Sequence, residues 1–168
     1  WMVGVPGSGG GAVRMNAGGH GSDIAASLTG VHLLDLRTAR RAWVPAGELG
    51  LHFRGSRLSD HQVVLDARLQ LAYGDADEAE ATLTEIVRWR REHQPGGQNA
   101  GSVFVNPIPG ELPAARLIDQ LGLRGFRVGG AVVSDKHANF IQAGDGATAA
   151  DVRAVIEHVR AAVLDHTG

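Results

Sequence analysis

The clearest hydrophobic pattern in the chain is an alternation of apolar and polar residues between positions 62 and 73. A period of two residues predicts a β-strand with one buried face. Shorter runs at residues 31–36 and 42–45 predict a hairpin whose second strand ends at Pro45. The face of the long strand that we expect to be buried carries Val63, Leu65, Ala67, Leu69, Leu71 and Tyr73.

A helical period occurs in three places. Residues 77–93 combine an apolar face with cations in the last turn, where the helix macrodipole favours them. Residues 113–121 have Pro at the start, and Gly122 follows them, which is typical of a helix with defined ends. Residues 148–151 open a last helix. Its regular apolar stripe consists of Val152, Val155, Ile156, Val159 and Val163.

Further strands are predicted at residues 102–106, 131–133 and 139–141, and one helical turn at residues 46–49. Strands and helices therefore mix without the strict alternation of a doubly wound sheet, which predicts the α+β class. Residues 94–100 are rich in Gly, Pro, Gln and Asn, and they form the best candidate for a domain boundary.

The glycine-rich stretch at residues 3–21 is the strongest functional signal. Eight of its nineteen residues are Gly. Glycine permits positive φ and a close approach of the backbone to a ligand, and successive bare N–H groups can bind an anion. A flexible surface loop is the alternative, but a solvated linker rarely interleaves apolar residues such as Val5 and Val13.

Two common phosphate-binding loops do not fit this stretch. The glycine spacing of residues 4–9 is that of a P-loop, but Gly10 and Gly11 stand where Lys and Ser or Thr are required. Residues 7–12 also fit the dinucleotide pattern, which requires a helix directly afterwards. Asn16 and the glycines beyond it predict that no helix forms there, so a Rossmann fold is disfavoured.

Composition limits the other classes. The chain of 168 residues is 43% hydrophobic and 20% charged, which indicates a soluble globular protein with a real core. A net charge of −2 gives no reason to expect nucleic acid. No apolar run could span a membrane and no signal peptide opens the chain, so we expect a cytoplasmic protein. No Cys is present and the eight His lack a metal-ligand spacing, so no metal site is expected.

Three further segments carry polar residues that core packing does not explain. They are Phe-Arg-Gly-Ser at 53–56, Ala-Gly-Ser-Val-Phe-Val-Asn-Pro at 100–107, and Gly-Gly-Ala-Val-Val-Ser-Asp-Lys-His-Ala-Asn-Phe-Ile at 129–141. Taken singly, each is typical of a solvated turn. Arg54 would then be a surface arginine, and Ser102 an ordinary turn hydroxyl with no adjacent base to activate it.

Taken together, and in their order along the chain, the glycine-rich stretch and the three segments resemble the motifs of the UDP-N-acetylenolpyruvoylglucosamine reductase family, also called UDP-N-acetylmuramate dehydrogenase. The resemblance implies that residues 1–86 are part of a vanillyl-alcohol-oxidase-like FAD-binding domain. It also implies that residues 97–168 are a small α+β substrate-binding domain, with a helix at about 77–93 bridging the two.

The resemblance also assigns roles to residues. Arg54 would stabilise the enolate of the substrate carboxylate, and Ser102 would protonate the substrate carbon. The residues implied in substrate binding are Asn106, Ser134, Lys136 and His137. The residues implied in FAD binding are Val5, Pro6, Gly7, Ser8, Gly10, Gly11, Asn16, Gly18 and Gly21.

The reaction implied is the FAD-dependent reduction of UDP-N-acetylglucosamine enolpyruvate by NADPH, in peptidoglycan precursor synthesis, by a monomer. Phe53 and Val105 depart from the family's usual tyrosine and lysine. We expect the chain to be an inactive fragment, because the family's first domain would precede Trp1 and a catalytic glutamate would follow Gly168. The alternatives are a non-redox module that binds a sugar nucleotide or phosphate, and a degenerate interaction domain.

Overall fold

In the computed structural model, which describes residues 1–108 and 110–168, the backbone divides into two units, Trp1–Arg88 and Trp89–Gly168. The core of the first unit contains Val13, Val31 and Leu33. The core of the second contains Ile118 and Val155. Among the described residues, no helix has the length and apolar character to cross a membrane.

The first unit is built around an antiparallel three-stranded sheet in the order β4-β3-β5. A short helix and a small two-stranded ladder lie before it in the chain. The bounds are α1 Gly9–Arg14, β1 Gly18–Gly19, β2 Ser22–Asp23, β3 Leu28–Asp35, β4 Arg40–Pro45 and β5 Gln62–Leu69, with a 3-10 turn at Ala46–Glu48. The predicted hairpin and helical turn are thus confirmed.

The predicted burial of β5 is wrong. Val63 and Leu65 are exposed, whereas Val64 packs against the core of the first unit. The register explains this, because Leu33 pairs with Val64 while the preceding His32 pairs with Asp66, so that Leu65 is an extra residue on β5. Such a bulge reverses which residues face the core, and a plain alternation in the sequence does not reveal it.

The prediction that no helix forms in the glycine-rich stretch is also wrong, because α1 does form. The Ser8 side chain caps it by accepting a hydrogen bond from the Gly11 N–H at 3.2 Å. Val13 is buried and anchors the helix to the core. The helix ends before Asn16, and the described strands pair only antiparallel, so the unit is not a Rossmann fold.

Helix α2 occupies Ala76–His93, where the sequence predicts a helix. Its start is one residue earlier than expected, because the carboxylate of Asp75 accepts hydrogen bonds from the N–H groups of Asp77 and Glu78 at 2.9 and 3.0 Å. On the apolar face of this helix Ile86 is buried, whereas Leu83 is exposed.

The second unit combines an antiparallel four-stranded sheet, ordered β6-β9-β8-β7, with two helices. The last helix begins with the capping box formed by Thr148 and Asp151 and packs on the sheet. Antiparallel sheets with separate helices confirm the α+β class. The bounds are β6 Asn99–Ser102, α3 Ala114–Gln120, β7 Arg127–Val128, β8 Ala131–Val133, β9 Phe140–Ala143 and α4 Ala149–Thr167.

One predicted strand of the second unit is displaced. The sequence predicts a strand at residues 102–106, whereas β6 ends at Ser102. The chain from Val103 onward leaves the sheet because Asn139, in the turn directly before β9, bonds through its side chain to the N–H and carbonyl of Phe104. Ser102 therefore lies at the end of a strand rather than at its beginning.

Candidate functional site

The glycine-rich stretch leaves part of its backbone open. Gly7 and Gly21 have φ values of +110° and +79°, and within residues 1–108 and 110–168 no atom beyond the adjacent residues lies within 4 Å of the position that a Cβ would occupy at either glycine. Only glycine adopts such conformations without strain. Gly10 instead faces β5, where a Cβ would lie 3.4 Å from the carbonyl oxygen of Val64. The segment therefore has a packed side and a side that a ligand can approach.

Asn16 fixes the end of this stretch from inside. It is 3% exposed, has φ of +41°, and its Oδ1 accepts a hydrogen bond from the Ala25 N–H at 2.9 Å. Its Nδ2 donates to Asp23 Oδ2 at 3.0 Å and to the His52 carbonyl at 3.1 Å. Both amide hydrogens are thus used within the protein, so the side chain of Asn16 has a structural role.

The loop that carries Arg54 is a tight reversal of the chain. His52 and Gly55 exchange two backbone hydrogen bonds of 3.0 and 3.1 Å, which leaves Phe53 and Arg54 at the tip. Arg54 has φ of +55°, an uncommon conformation for a residue with a side chain. Its guanidinium lies 4.8 Å from the centroid of the exposed Phe53 ring, a cation–π contact. Phe53 thus supports Arg54 although it lacks a hydroxyl.

The structure brings this arginine loop and the glycine-rich stretch together. Nη1 of Arg54 lies 3.2 Å from the position that a Cβ on Gly18 would occupy. The Ser56 hydroxyl donates to the Arg14 carbonyl at 2.7 Å, and Asn16 bonds to the His52 carbonyl as described above. Two motifs that are about 40 residues apart in the sequence thus form one surface of the first unit.

Ser102 lies directly after a bulge in β6. Asn99 pairs with Gln142 and Ser102 with Phe140, so β6 has one more residue than β9 between these pairs. Gly101 has φ of +69°, and its N–H donates to Asn99 Oδ1 at 2.9 Å. Bulges next to active sites redirect side chains. Ser102 is exposed, and its hydroxyl has no hydrogen-bond partner among residues 1–108 and 110–168.

Asn106 contributes to the start of α3. Its Oδ1 accepts a hydrogen bond from the N–H of Ala114, the first residue of that helix, at 3.0 Å. Pro113, which occupies the N-cap position, makes no side-chain cap of its own. The side chain is exposed apart from this contact, so Asn106 combines a capping role with an accessible amide.

The predicted substrate residues of the third motif occupy a turn between β8 and β9. Ser134 is 1% exposed, and its hydroxyl accepts hydrogen bonds from the N–H groups of Lys136 and His137 at 3.1 and 3.4 Å. Lys136 is exposed, and its ammonium donates to the Arg91 carbonyl in the last turn of α2. The Ser134 side chain thus stabilises the turn, whereas the side chains of Lys136 and His137 are the ones on this turn that can contact a ligand.

His137 is held neutral by its surroundings. Burial is the largest effect and lowers the pKa of its imidazole; a backbone hydrogen bond opposes this, and the nearby Arg124 and His93 lower the pKa further. Nδ1 accepts a hydrogen bond from the Asn139 N–H at 3.2 Å, which leaves the proton on Nε2. The ring also meets Phe140 edge to face at a centroid distance of 4.8 Å. His137 can therefore act as a neutral hydrogen-bond donor near pH 7.

Asn139 is a residue whose role sequence reasoning missed. It is 4% exposed, and its amide makes two hydrogen bonds of 2.8 Å with the backbone N–H and carbonyl of Phe104. The Val103 N–H also donates to the Asn139 carbonyl at 2.9 Å. The signal in the sequence is the polar residue between Ala138 and Phe140, within an otherwise apolar run.

These features define an α+β protein whose candidate site residues lie in short helices, at strand ends and in the turns between them. Residues 92–168 match the family described as "UDP-N-acetylenolpyruvoylglucosamine reductase, C-terminal domain". The protein named UDP-N-acetylenolpyruvoylglucosamine reductase in Bacillus licheniformis is 40% identical over 168 residues, which is 98% of this chain and 90% of that protein. The chain belongs to the UDP-N-acetylenolpyruvoylglucosamine reductase family.

Longer relatives carry the same name. That of Heliobacterium modesticaldum is 44% identical over 170 residues, covering 100% of this chain and 54% of its own length. The crystal structure of UDP-N-acetylenolpyruvylglucosamine reductase from Thermus caldophilus superposes with a TM-score of 0.87 at 36% identity, over 95% of this chain and 58% of that one. The chain thus spans about half the length of these two relatives.

Proposed function

We propose that this chain forms part of an FAD-dependent oxidoreductase that reduces UDP-N-acetylglucosamine enolpyruvate to UDP-N-acetylmuramate with NADPH, for peptidoglycan synthesis. The relatives that cover this chain are named as reductases of an enolpyruvyl sugar nucleotide. The observation that carries the proposal is the contact of the Arg54 loop with the glycine-rich stretch, because it sets an anion-binding group beside an open backbone surface.

The residues of the glycine-rich stretch fit a large flat cofactor. The open space at Gly7 and Gly21 lets a ligand contact the backbone directly, whereas a Cβ at Gly18 would come within 2.8 Å of Asp23 Cβ. In this proposal residues 1–86 belong to the FAD-binding domain and residues 97–168 to the substrate-binding domain, joined by α2. The residues that would hold FAD are Val5, Pro6, Gly7, Ser8, Gly10, Gly11, Gly18 and Gly21, and Asn16 would act by fixing the backbone of this stretch from the buried side.

Arg54 would stabilise charge on the substrate. FAD held by the glycine-rich stretch would, once reduced by NADPH, supply a hydride to one carbon of the enolpyruvyl double bond. Negative charge then develops on the neighbouring carboxylate as an enolate. The guanidinium of Arg54 can donate two parallel hydrogen bonds to that carboxylate, and Phe53 and the positive φ hold it at the tip of its loop.

Ser102 would complete the reduction by transferring its hydroxyl proton to the other carbon of the former double bond. The exposed hydroxyl at the end of β6 has no competing partner among the described residues, so it can face a substrate. A general acid needs only hydrogen-bond reach and a suitable orientation. The proton restores a neutral carbon centre as the enolate collapses to the carboxylate of the product.

The remaining proposed residues would bind the sugar nucleotide. Lys136 supplies a positive charge and His137 a neutral N–H donor on the same turn, while the Ser134 hydroxyl orders that turn. The amide of Asn106 is accessible beside α3. Cations and N–H donors of this kind suit phosphate and carbohydrate oxygens.

The test uses the complete gene product that contains this chain, and measures the visible spectrum of its flavin. We expect NADPH to bleach it and the enolpyruvyl sugar nucleotide to restore the colour under anaerobic conditions. Ser102→Ala should leave reduction by NADPH within about twofold and slow reoxidation by the substrate by about 100-fold or more. Ser59→Ala, which removes a hydroxyl bonded to His61, is the matched control and should leave both rates unchanged.

A colourless protein that cannot be reconstituted with FAD, yet binds the sugar nucleotide, would contradict the proposal in favour of a non-redox binding module. We also expect the 168-residue chain alone to turn over little or no substrate, because it spans about half the length of the longer relatives. Full turnover by this chain alone would contradict that expectation.

A further inference from the structure

We infer that Asn139 is the positioning residue for Ser102: its buried amide, bonded to the backbone of Phe104, fixes the direction in which the Ser102 hydroxyl points. This inference rests on the proposed function, since it assigns Asn139 a role in the proton transfer from Ser102. Asn139 would not contact the substrate or the flavin itself and would act only through Ser102.

The first argument is the geometry of the amide. Oδ1 of Asn139 accepts from the Phe104 N–H and Nδ2 donates to the Phe104 carbonyl, both at 2.8 Å. An amide side chain that meets both backbone groups of one residue replaces a strand partner, and it fixes that residue in position and rotation. Because the side chain is 4% exposed, water cannot easily take its place.

The second argument is the place of Ser102 between two fixed points. Before it, the Asn99 side chain holds the N–H of Gly101, which has φ of +69°. After it, the Val103 N–H bonds to the Asn139 carbonyl and Phe104 to the Asn139 amide. Ser102 itself makes no side-chain hydrogen bond within the described part of the chain. Its orientation is therefore set by the backbone on either side, and Asn139 provides the downstream half.

The third argument is the link to the proposed substrate turn. Asn139 follows His137 by two residues, and its N–H donates to His137 Nδ1 at 3.2 Å. The Ser134 N–H bonds to the carbonyl of Phe140, the next residue. The residue that fixes the serine segment thus also belongs to the turn that carries Lys136 and His137: its side chain bonds to Phe104 and its backbone N–H to His137.

The experiment measures the two flavin half-reactions of the complete gene product with Asn139→Ala. A shift of the serine by about 1 Å should slow reoxidation by the enolpyruvyl sugar nucleotide by about 10-fold to 100-fold. Reduction of the flavin by NADPH should stay within about twofold. Gln142→Ala is the matched control, because it removes a nearby side-chain amide, in β9, that bonds to the Gly96 carbonyl at 3.3 Å, and it should leave both rates unchanged.

A double-mutant cycle separates positioning of Ser102 from general damage. If Asn139 acts through Ser102, Asn139→Ala should change the reoxidation rate of a Ser102→Ala protein by less than about twofold. Additive losses in the double variant would overturn the inference. An equal loss of both half-reactions in Asn139→Ala would also overturn it, because Asn139 would then be a general structural residue.

Asn139→Asp provides an independent arm, should the alanine variant fail to fold. An ionised carboxylate still accepts from the Phe104 N–H but repels its carbonyl, whereas the protonated form can donate to that carbonyl. The reoxidation rate relative to the unsubstituted protein should therefore rise as the pH falls from about 8 to about 6, because burial raises the pKa of the introduced carboxyl. If the relative reoxidation rate did not depend on pH, the hydrogen bond that the Asn139 side chain donates to the Phe104 carbonyl would have no role in positioning Ser102. Lack of reoxidation in the unsubstituted protein would instead refute the proposed function, and the role of Asn139 with it.

Discussion

The side-chain amide of Asn16 donates a 3.1 Å hydrogen bond to the backbone carbonyl of His52, and so joins the end of the glycine-rich stretch to the base of the Arg54 loop. The Ser56 hydroxyl adds a second connection, to the Arg14 carbonyl. Because Asn16 is buried, water cannot easily replace its hydrogen bond to His52. The position of Arg54 therefore depends on the conformation of a segment about 40 residues earlier.

The first prediction concerns this buried amide. Asn16→Ala leaves the Ala25 N–H without its partner and removes one of the two hydrogen bonds to the His52 carbonyl, and should lower the free energy of unfolding by about 2–3 kcal/mol. Asn16→Gly removes the same amide but suits the φ of +41°, so it should lose about 1 kcal/mol less. Urea unfolding of the chain followed by circular dichroism measures both. If both variants lost the same free energy of unfolding, the positive φ at residue 16 would contribute nothing to the cost of the alanine substitution.

The second prediction follows from the φ of +55° at Arg54. Backbone strain retained at a loop tip is typical of functional sites. Arg54→Gly should raise the stability of the chain by up to about 1 kcal/mol, because glycine adopts this φ freely, and should also abolish reoxidation of the flavin by the enolpyruvyl sugar nucleotide. Ala39→Gly, in the turn between β3 and β4 with the same φ, is the control. It should gain similar stability without loss of activity. If Arg54→Gly kept full activity, Arg54 would not stabilise the enolate.

Much of the fold is predictable because helices and turns depend on local signals. The bounds of α2 and α3 and the start of α4 follow from residues typical of helix ends and from the apolar period, and the structure confirms them to within one or two residues. The buried face of β5 could not be predicted in the same way. It depends on the extra residue Leu65, and a bulge is set by pairing with another strand rather than by the sequence of the bulged strand itself.

The candidate site is predictable to a smaller degree. Motif resemblance singles out Arg54 and Ser102, but it does not indicate what holds them. The hydrogen bonds of Asn16 to His52 and of Asn139 to Phe104 connect residues that are 36 and 35 positions apart. Such contacts arise only in the folded chain, so a single sequence shows the polar residues without their partners.

The third prediction tests the sheet of the first unit. A Cβ at Gly30 would lie 2.4 Å from Cζ2 of Trp43 and 2.8 Å from the Val44 carbonyl oxygen, so Gly30→Ala must displace the indole or separate the strands. We expect a loss of about 1–3 kcal/mol in the free energy of unfolding, with a change in the fluorescence of Trp43. Gly47→Ala is the matched control, because no atom of the described residues, apart from those adjacent to Gly47, lies within 4 Å of its Cβ position. If both variants unfolded at the same urea concentration, the close approach of Trp43 to Gly30 would be refuted.

The fourth prediction concerns the acid side of the stability profile. Burial, together with the charges of Arg124 and His93, lowers the pKa of His137 in the folded chain. The unfolded chain then binds the proton first, so the contribution of His137 to stability is fully present above its unfolded pKa of about 6.5. It declines as the pH falls from about 6.5 towards the lowered folded pKa. His137→Gln cannot take up this proton, so its stability should fall less than that of the unsubstituted chain across this window. Proton NMR of the imidazole gives the folded pKa directly, and a midpoint at or above about 6.5 would contradict the prediction.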